Sequence, residues 1–122
     1  MIEYKGLTAP QSYADASQEF KSIICNGCGT KGWKGVIVPE TAWGLSLTRA
    51  CNIHDWMYSQ GISADDKVLA DKTFHNNMKR LINDGTPWYL FPLIATRHVR
   101  AWVYYIAVKN WGDAAFWSGK EV

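Results

Sequence analysis

The sequence predicts an all-α domain, on three observations. Apolar residues recur at three- and four-residue spacing over most of the chain, the period of one helix face. Glycine and proline punctuate that pattern where helices would start and stop (Pro10, Gly61, Gly85, Pro87, Gly112). The chain has 122 residues, enough for one domain spanning 1–122 and too few for two comfortable cores.

A first helix is predicted from about Pro10 to Ile24, with Phe20, Ile23 and Ile24 as its apolar edge and a proline tolerated in its first turn. Asn26 to Gly44 holds five glycines and a proline and reads as loop, with Gly35–Val38 as a short extended piece. The second helix opens near Ser46 or Thr48 and stops at Gly61. The third opens at Ser63, with Asp65 and Asp66 complementing the dipole of its first turn, and stops at Gly85. Its buried face is expected along Val68, Phe74, Met78, Leu81 and Ile82. Thr86-Pro87 opens a fourth segment. Pro92 interrupts it, so its main helix runs from about Pro92 to Asn110 and ends at Gly112, before a short aromatic tail.

Composition narrows the function. The net charge of +2 is too small to argue for nucleic acid. The longest apolar run, Ala101–Val108, is too short to span a bilayer. The first residues lack the basic start and apolar run of a signal peptide, so a phage or viral product, or a protein released by lysis, fits as well as a cytosolic one. Three cysteines allow at most one internal disulfide. Seven tryptophans, six tyrosines and four phenylalanines are many for this size. Most of those on the fourth helix (Trp102, Tyr104, Tyr105, Trp111) are expected to supply core bulk. Trp33, Trp43 and Trp56 are better placed for a wet–apolar rim.

The chemistry concentrates in Cys51-Asn52-Ile53-His54-Asp55-Trp56-Met57-Tyr58. Asp71 falls among apolar positions of the third helix, where an unpaired carboxylate is costly. The second and third helices are joined by a few residues and should run antiparallel. His54 and Asp71 then lie about ten Å either side of the turn, at 1.5 Å per residue, and their side chains can meet. An imidazole held by a carboxylate has a fixed tautomer and a basic second nitrogen. Tyr58, four residues on, shares the face of His54 and can donate to Asp71. Asp55 is turned about 100° away and can face the glycine loop Asn26–Gly32, whose carbonyls with one carboxylate suit calcium. His75 and His98 have no motif around them and read as satisfied structural histidines.

These residues resemble the phospholipase A2 family: Cys51-x-x-His54-Asp55-x-x-Tyr58, then Ala70-Asp71-x-x-Phe74, with Gly27-Cys28-Gly29 upstream. The matching segment runs from about Gly27 to Met78, and its few cysteines look like the compact bacterial, fungal and viral members. The resemblance implies a small helical phospholipase A2-like domain that hydrolyses the sn-2 acyl ester of glycerophospholipids at a membrane or micelle surface. His54 would be the general base, Asp71 its orienting carboxylate and Tyr58 the partner of Asp71. Asp55 and the carbonyls of Gly27, Gly29 and Lys31 would hold calcium, and the Gly29 amide would join calcium in stabilising the oxyanion. Cys28 and Cys51 match the family's disulfide between calcium loop and catalytic helix. The chain departs from the family at Lys31, where a glycine is usual, at Met57 and Ala50, where cysteines are common, and in the longer stretch between Gly29 and His54.

Two other readings compete. Cys25-x-x-Cys28 with Cys51-x-x-His54 is a respectable zinc pattern, which would make the chain a zinc-stabilised binding or structural module. A phospholipase-like fold without activity, used for lipid or partner binding, would keep the same side chains.

Overall fold

The computed structural model describes residues 1–25 and 41–117. The chain is mostly helical, as expected, with two small antiparallel hairpins that the all-α expectation lacked. Strands β1 (Ile2–Tyr4) and β2 (Leu7–Ala9) pair first, and β3 (Thr41–Ala42) and β4 (Leu45–Ser46) later. Each turns on a non-glycine residue followed by glycine, Lys5-Gly6 and Trp43-Gly44, all four at positive φ. Two-residue turns of that hand match the twist of paired strands. The strands are only two or three residues long, too short for an alternating pattern to register.

The predicted first helix is two: α1 (Gln11–Asp15) and α2 (Gln18–Ile24). Ser17 breaks it, with extended backbone and a side chain that accepts a hydrogen bond from the Phe20 amide. A serine that satisfies a free amide in this way starts a helix more readily than it continues one. Helix α3 (Thr48–Gln60) begins after Leu47, which makes no side-chain cap, and ends at Gly61. Helix α4 (Ala64–Gly85) opens on a reciprocal capping box: the Ser63 hydroxyl accepts from the Asp66 amide, and the Asp66 carboxylate accepts from the amides of Ser63 and Ile62. Helix α5 (Phe91–Trp111) carries Pro92 in its first turn, where the missing amide costs nothing. Thr86–Leu90 is a turn rather than helix. The aromatic tail forms α6 (Asp113–Trp117).

Helix α3 is the centre of the molecule. One side packs with α4 and α5 through Ala50, Cys51, Phe74, Met78, Ala101, Tyr104 and Val108. The other packs with the N-terminal hairpin, α1 and α6 through Leu7, Tyr13, Ile53, Trp56, Met57 and Phe116. A helix enclosed on both sides buries its polar residues too, which is why Asp55 is buried along with His54. Asn77, buried on α4, fixes the first hairpin by reading one strand residue twice: it accepts from the Thr8 amide and donates to the Thr8 carbonyl, each at 2.8 Å.

Four placements differ from the sequence expectation. On α2 the expected apolar edge is turned outward, with Phe20 and Ile23 exposed and Lys21 buried instead. Val68 is half exposed, and Lys67 takes its place on the buried face of α4, four residues before Asp71. Trp56 is core rather than rim: its ring is buried and its indole N–H donates to Ser12. Of the four aromatic residues expected in the core from α5, only Tyr104 is buried, while Trp102 and Trp111 stand in solvent. The core of so small a domain is already filled from α3 and α4, so the outer rings of α5 have nothing to pack against.

Candidate active site

The antiparallel α3 and α4 bring His54 and Asp71 together as expected. The His54 Nε2 lies 2.8 Å from Asp71 Oδ1, and the Tyr58 hydroxyl donates to that same oxygen at 2.6 Å. An ionised carboxylate only accepts, so the imidazole carries its proton on Nε2 and its lone pair on Nδ1. Phe74 stacks on the imidazole with ring centres 4.5 Å apart, and Tyr58 tilts against it at 4.1 Å. His54 is 0 % exposed. A catalytic second nitrogen calls for access to water. Enclosure of α3 by both halves of the core buries the whole ring instead.

Lys67 is the residue that the sequence reading missed. Its ammonium donates to Asp71 Oδ2 at 2.8 Å, to the Val108 carbonyl at 3.0 Å and to the Lys109 carbonyl at 3.4 Å. Asp113 Oδ1 stands 3.6 Å away on α6. Both carbonyls belong to the last turn of α5, the negative end of the helix dipole, which favours a cation; the Val108 carbonyl also accepts from the Gly112 amide at 2.9 Å. The signal was present as a lysine four residues before an aspartate, the spacing of neighbours on a helix.

Burial dominates the electrostatics. It pushes the His54 imidazole below its usual 6.5, against the opposing pull of Asp71, and the Lys67 charge adds to the lowering. Burial also works to raise Asp71, but the hydrogen bonds from His54, Lys67 and Tyr58 outweigh it and hold the carboxyl below its ordinary 3.8. Burial, then Asp71, drives the Tyr58 phenol upward, so Tyr58 stays a donor. At neutral pH the dyad is therefore a neutral imidazole and a carboxylate.

Asp55 is buried on α3 beside His54. The other expected calcium ligands, Gly27, Gly29 and Lys31, lie outside the described residues, as does Cys28. Among the described residues no three acidic, histidine or cysteine side chains gather as a metal centre. Cys51 is disulfide-bonded, so it offers no thiolate. Cys25 is a free thiol that donates to the Asn52 carbonyl, and burial, with Asp55 nearby, raises it to about 11. His75 stacks on Tyr105, and His98 bonds to Asn83, both consistent with structural roles.

No protein-family model, curated protein or solved structure matches this chain. Its function therefore has to be argued from the cluster itself.

Proposed function

We propose that the chain is a calcium-dependent phospholipase A2-type hydrolase that cleaves the sn-2 acyl ester of glycerophospholipids. The observation that carries this reading is the hydrogen-bonded cluster His54–Asp71–Tyr58, whose tautomer leaves a lone pair on Nδ1. In this mechanism His54 Nδ1 takes a proton from water as its oxygen attacks the ester carbonyl. Asp71 holds the ring in the productive tautomer and balances the imidazolium that forms, as a buried carboxylate does for a catalytic histidine elsewhere. The same proton then passes from the imidazolium to the leaving alkoxide. No covalent intermediate forms.

Asp55 fits a hard cation as a buried oxygen donor next to the base. It would hold calcium with the carbonyls of Gly27, Gly29 and Lys31. Bound there, the ion supplies Lewis-acid stabilisation of the oxyanion, to which the Gly29 amide would add a hydrogen bond. Turnover requires water at Nδ1 of a ring that is wholly enclosed, a strict demand on the packing around it.

That enclosure favours a second reading, a phospholipase-like protein without turnover in which the cluster only stabilises the fold and the chain binds lipid or a partner. The zinc module is less well supported, because Cys51 is disulfide-bonded and Asp71 occupies Nε2 of His54. One assay separates the three: hydrolysis of a micellar phospholipid with calcium and with chelator, alongside metal analysis of the purified protein. The hydrolase reading expects calcium-dependent fatty-acid release, lost in His54→Ala and weakened in Asp55→Asn. Turnover retained in His54→Ala, or stoichiometric zinc, refutes it.

A further inference from the structure

Helix α5 is apolar on two opposite sides. Ala101, Tyr104 and Val108 face the core. Phe91, Val99, Trp102 and Val103 recur at helical spacing on the far side and are exposed. The stripe runs from Phe91, 71 % exposed at the start of the helix, into the turn before it, where Trp88 is 84 % exposed. A soluble surface seldom leaves so many large apolar groups together without a partner.

Charge identifies the partner. The segment from Thr86 to Gly112 contains Arg97, Arg100 and Lys109 and no acidic residue. Arg97 is committed to Thr86 and to the Trp43 carbonyl. Arg100 is exposed, with its guanidinium 5.3 Å from the centre of the Trp43 ring, itself exposed. A second copy of this face would bring like charges together with no carboxylate to answer them. Aromatic rings flanked by basic heads suit the boundary of an anionic bilayer, where the rings enter the headgroup layer and the cations meet lipid phosphate.

We propose that the outer face of α5 and the turn at Trp88 before it form the docking surface for an anionic lipid membrane, with α5 lying along it. The inference rests on the hydrolase reading for its lipid partner and on the exposed stripe for its location. No helix among the described residues is long and apolar enough to cross a membrane, so this contact lies in the interface.

The test is flotation of the full chain with vesicles of ether-linked phosphatidylglycerol or ether-linked phosphatidylcholine, lipids that offer no acyl ester to cleave. Binding to the anionic vesicles is expected, weakened by salt. Trp88→Ser with Phe91→Ser should reduce it about tenfold or more, and Arg100→Glu should narrow the preference for anionic over zwitterionic lipid. Both variants alter exposed side chains, and an unchanged near-ultraviolet spectrum and melting temperature verify their folding. Should the double variant misfold, Trp102→Ser replaces it with the same expected loss. Absence of wild-type binding, binding unaffected by the serine variants, or a concentration-dependent dimer in place of vesicle binding overturns the proposal. Because nothing is hydrolysed here, docking is read independently of turnover: docking with no fatty-acid release from ester-linked micelles in the assay above would uphold this face while refuting the hydrolase, and release without docking would do the reverse.

Discussion

At the scale of residues, protonation of His54 is governed by its burial more than by its hydrogen bond to Asp71. Burial holds the imidazole neutral below its usual 6.5, so under the hydrolase reading the base stays competent into mildly acidic solution. The acid limb of kcat/KM is expected below pH 6.5, and a limb above that value in a pH–rate profile would contradict the burial argument. Lys67 is the counter-ion of Asp71 inside the protein. Lys67→Met should cost about 3–5 kcal/mol, because removing one member of a buried pair leaves the other charge poorly compensated. Urea unfolding measures this, and a loss near zero would mean that His54 and Tyr58 suffice to hold the carboxylate.

At the scale of elements, the stop of α3 and the starts of α4 and α5 were legible because each rests on a local device. Ser63 and Asp66 form the capping box at α4, Gly61 follows α3, and Pro92 sits in the first turn of α5. Ser63→Ala should therefore cost about 1 kcal/mol in chemical denaturation. Losing much less would show that the cap is redundant with tertiary packing. The α5–α6 corner obeys a different constraint. A Cβ on Gly112 would meet the Val108 carbonyl oxygen and, at 2.6 Å, the Tyr58 hydroxyl. Gly112→Ala should cost about 1–3 kcal/mol, and under the hydrolase reading it should also lower turnover by displacing Tyr58 from Asp71. A variant as stable and as active as the parent would exclude that close approach. The hairpins were not legible, although Lys5-Gly6 and Trp43-Gly44 are turn pairs, because three or two strand residues carry no period to read. Lys67 was not legible either, since a lysine beside a valine on a helix gives no sign of which one turns inward until the neighbouring helix ends are placed.

At the scale of the whole molecule, the pairing of His54 with Asp71 could be foreseen because a short turn between two helices leaves little choice of geometry. The burial of Asp71 could be read from its place on an apolar stripe, but the complete enclosure of the imidazole could not, because it depends on tertiary packing around α3 by elements far along the chain. Acid should expose this enclosure as a loss of stability. Between the lowered pKa of folded His54 and 6.5, the unfolded chain binds a proton that the folded chain does not. Stability is thus complete above 6.5 and falls as the pH drops through that window. Asp71, lowered from 3.8 by its partners, adds a second loss further down. His75 and His98 are also lowered by burial and act in the same direction as His54. Replacing both with glutamine should leave part of the upper acid loss in place, measured as melting temperature against pH. Disappearance of the upper loss in that double variant would assign it to the surface histidines.

An ammonium group has three protons to give. Those of Lys67 have takers in one carboxylate oxygen and two backbone oxygens of a neighbouring helix end. Lys67 thus has its donor capacity committed within the protein, and it is poorly equipped to recruit an incoming anion. Attraction of a phosphate-bearing molecule would fall instead to cations on the outside of the protein and, under the hydrolase reading, to the calcium held at Asp55.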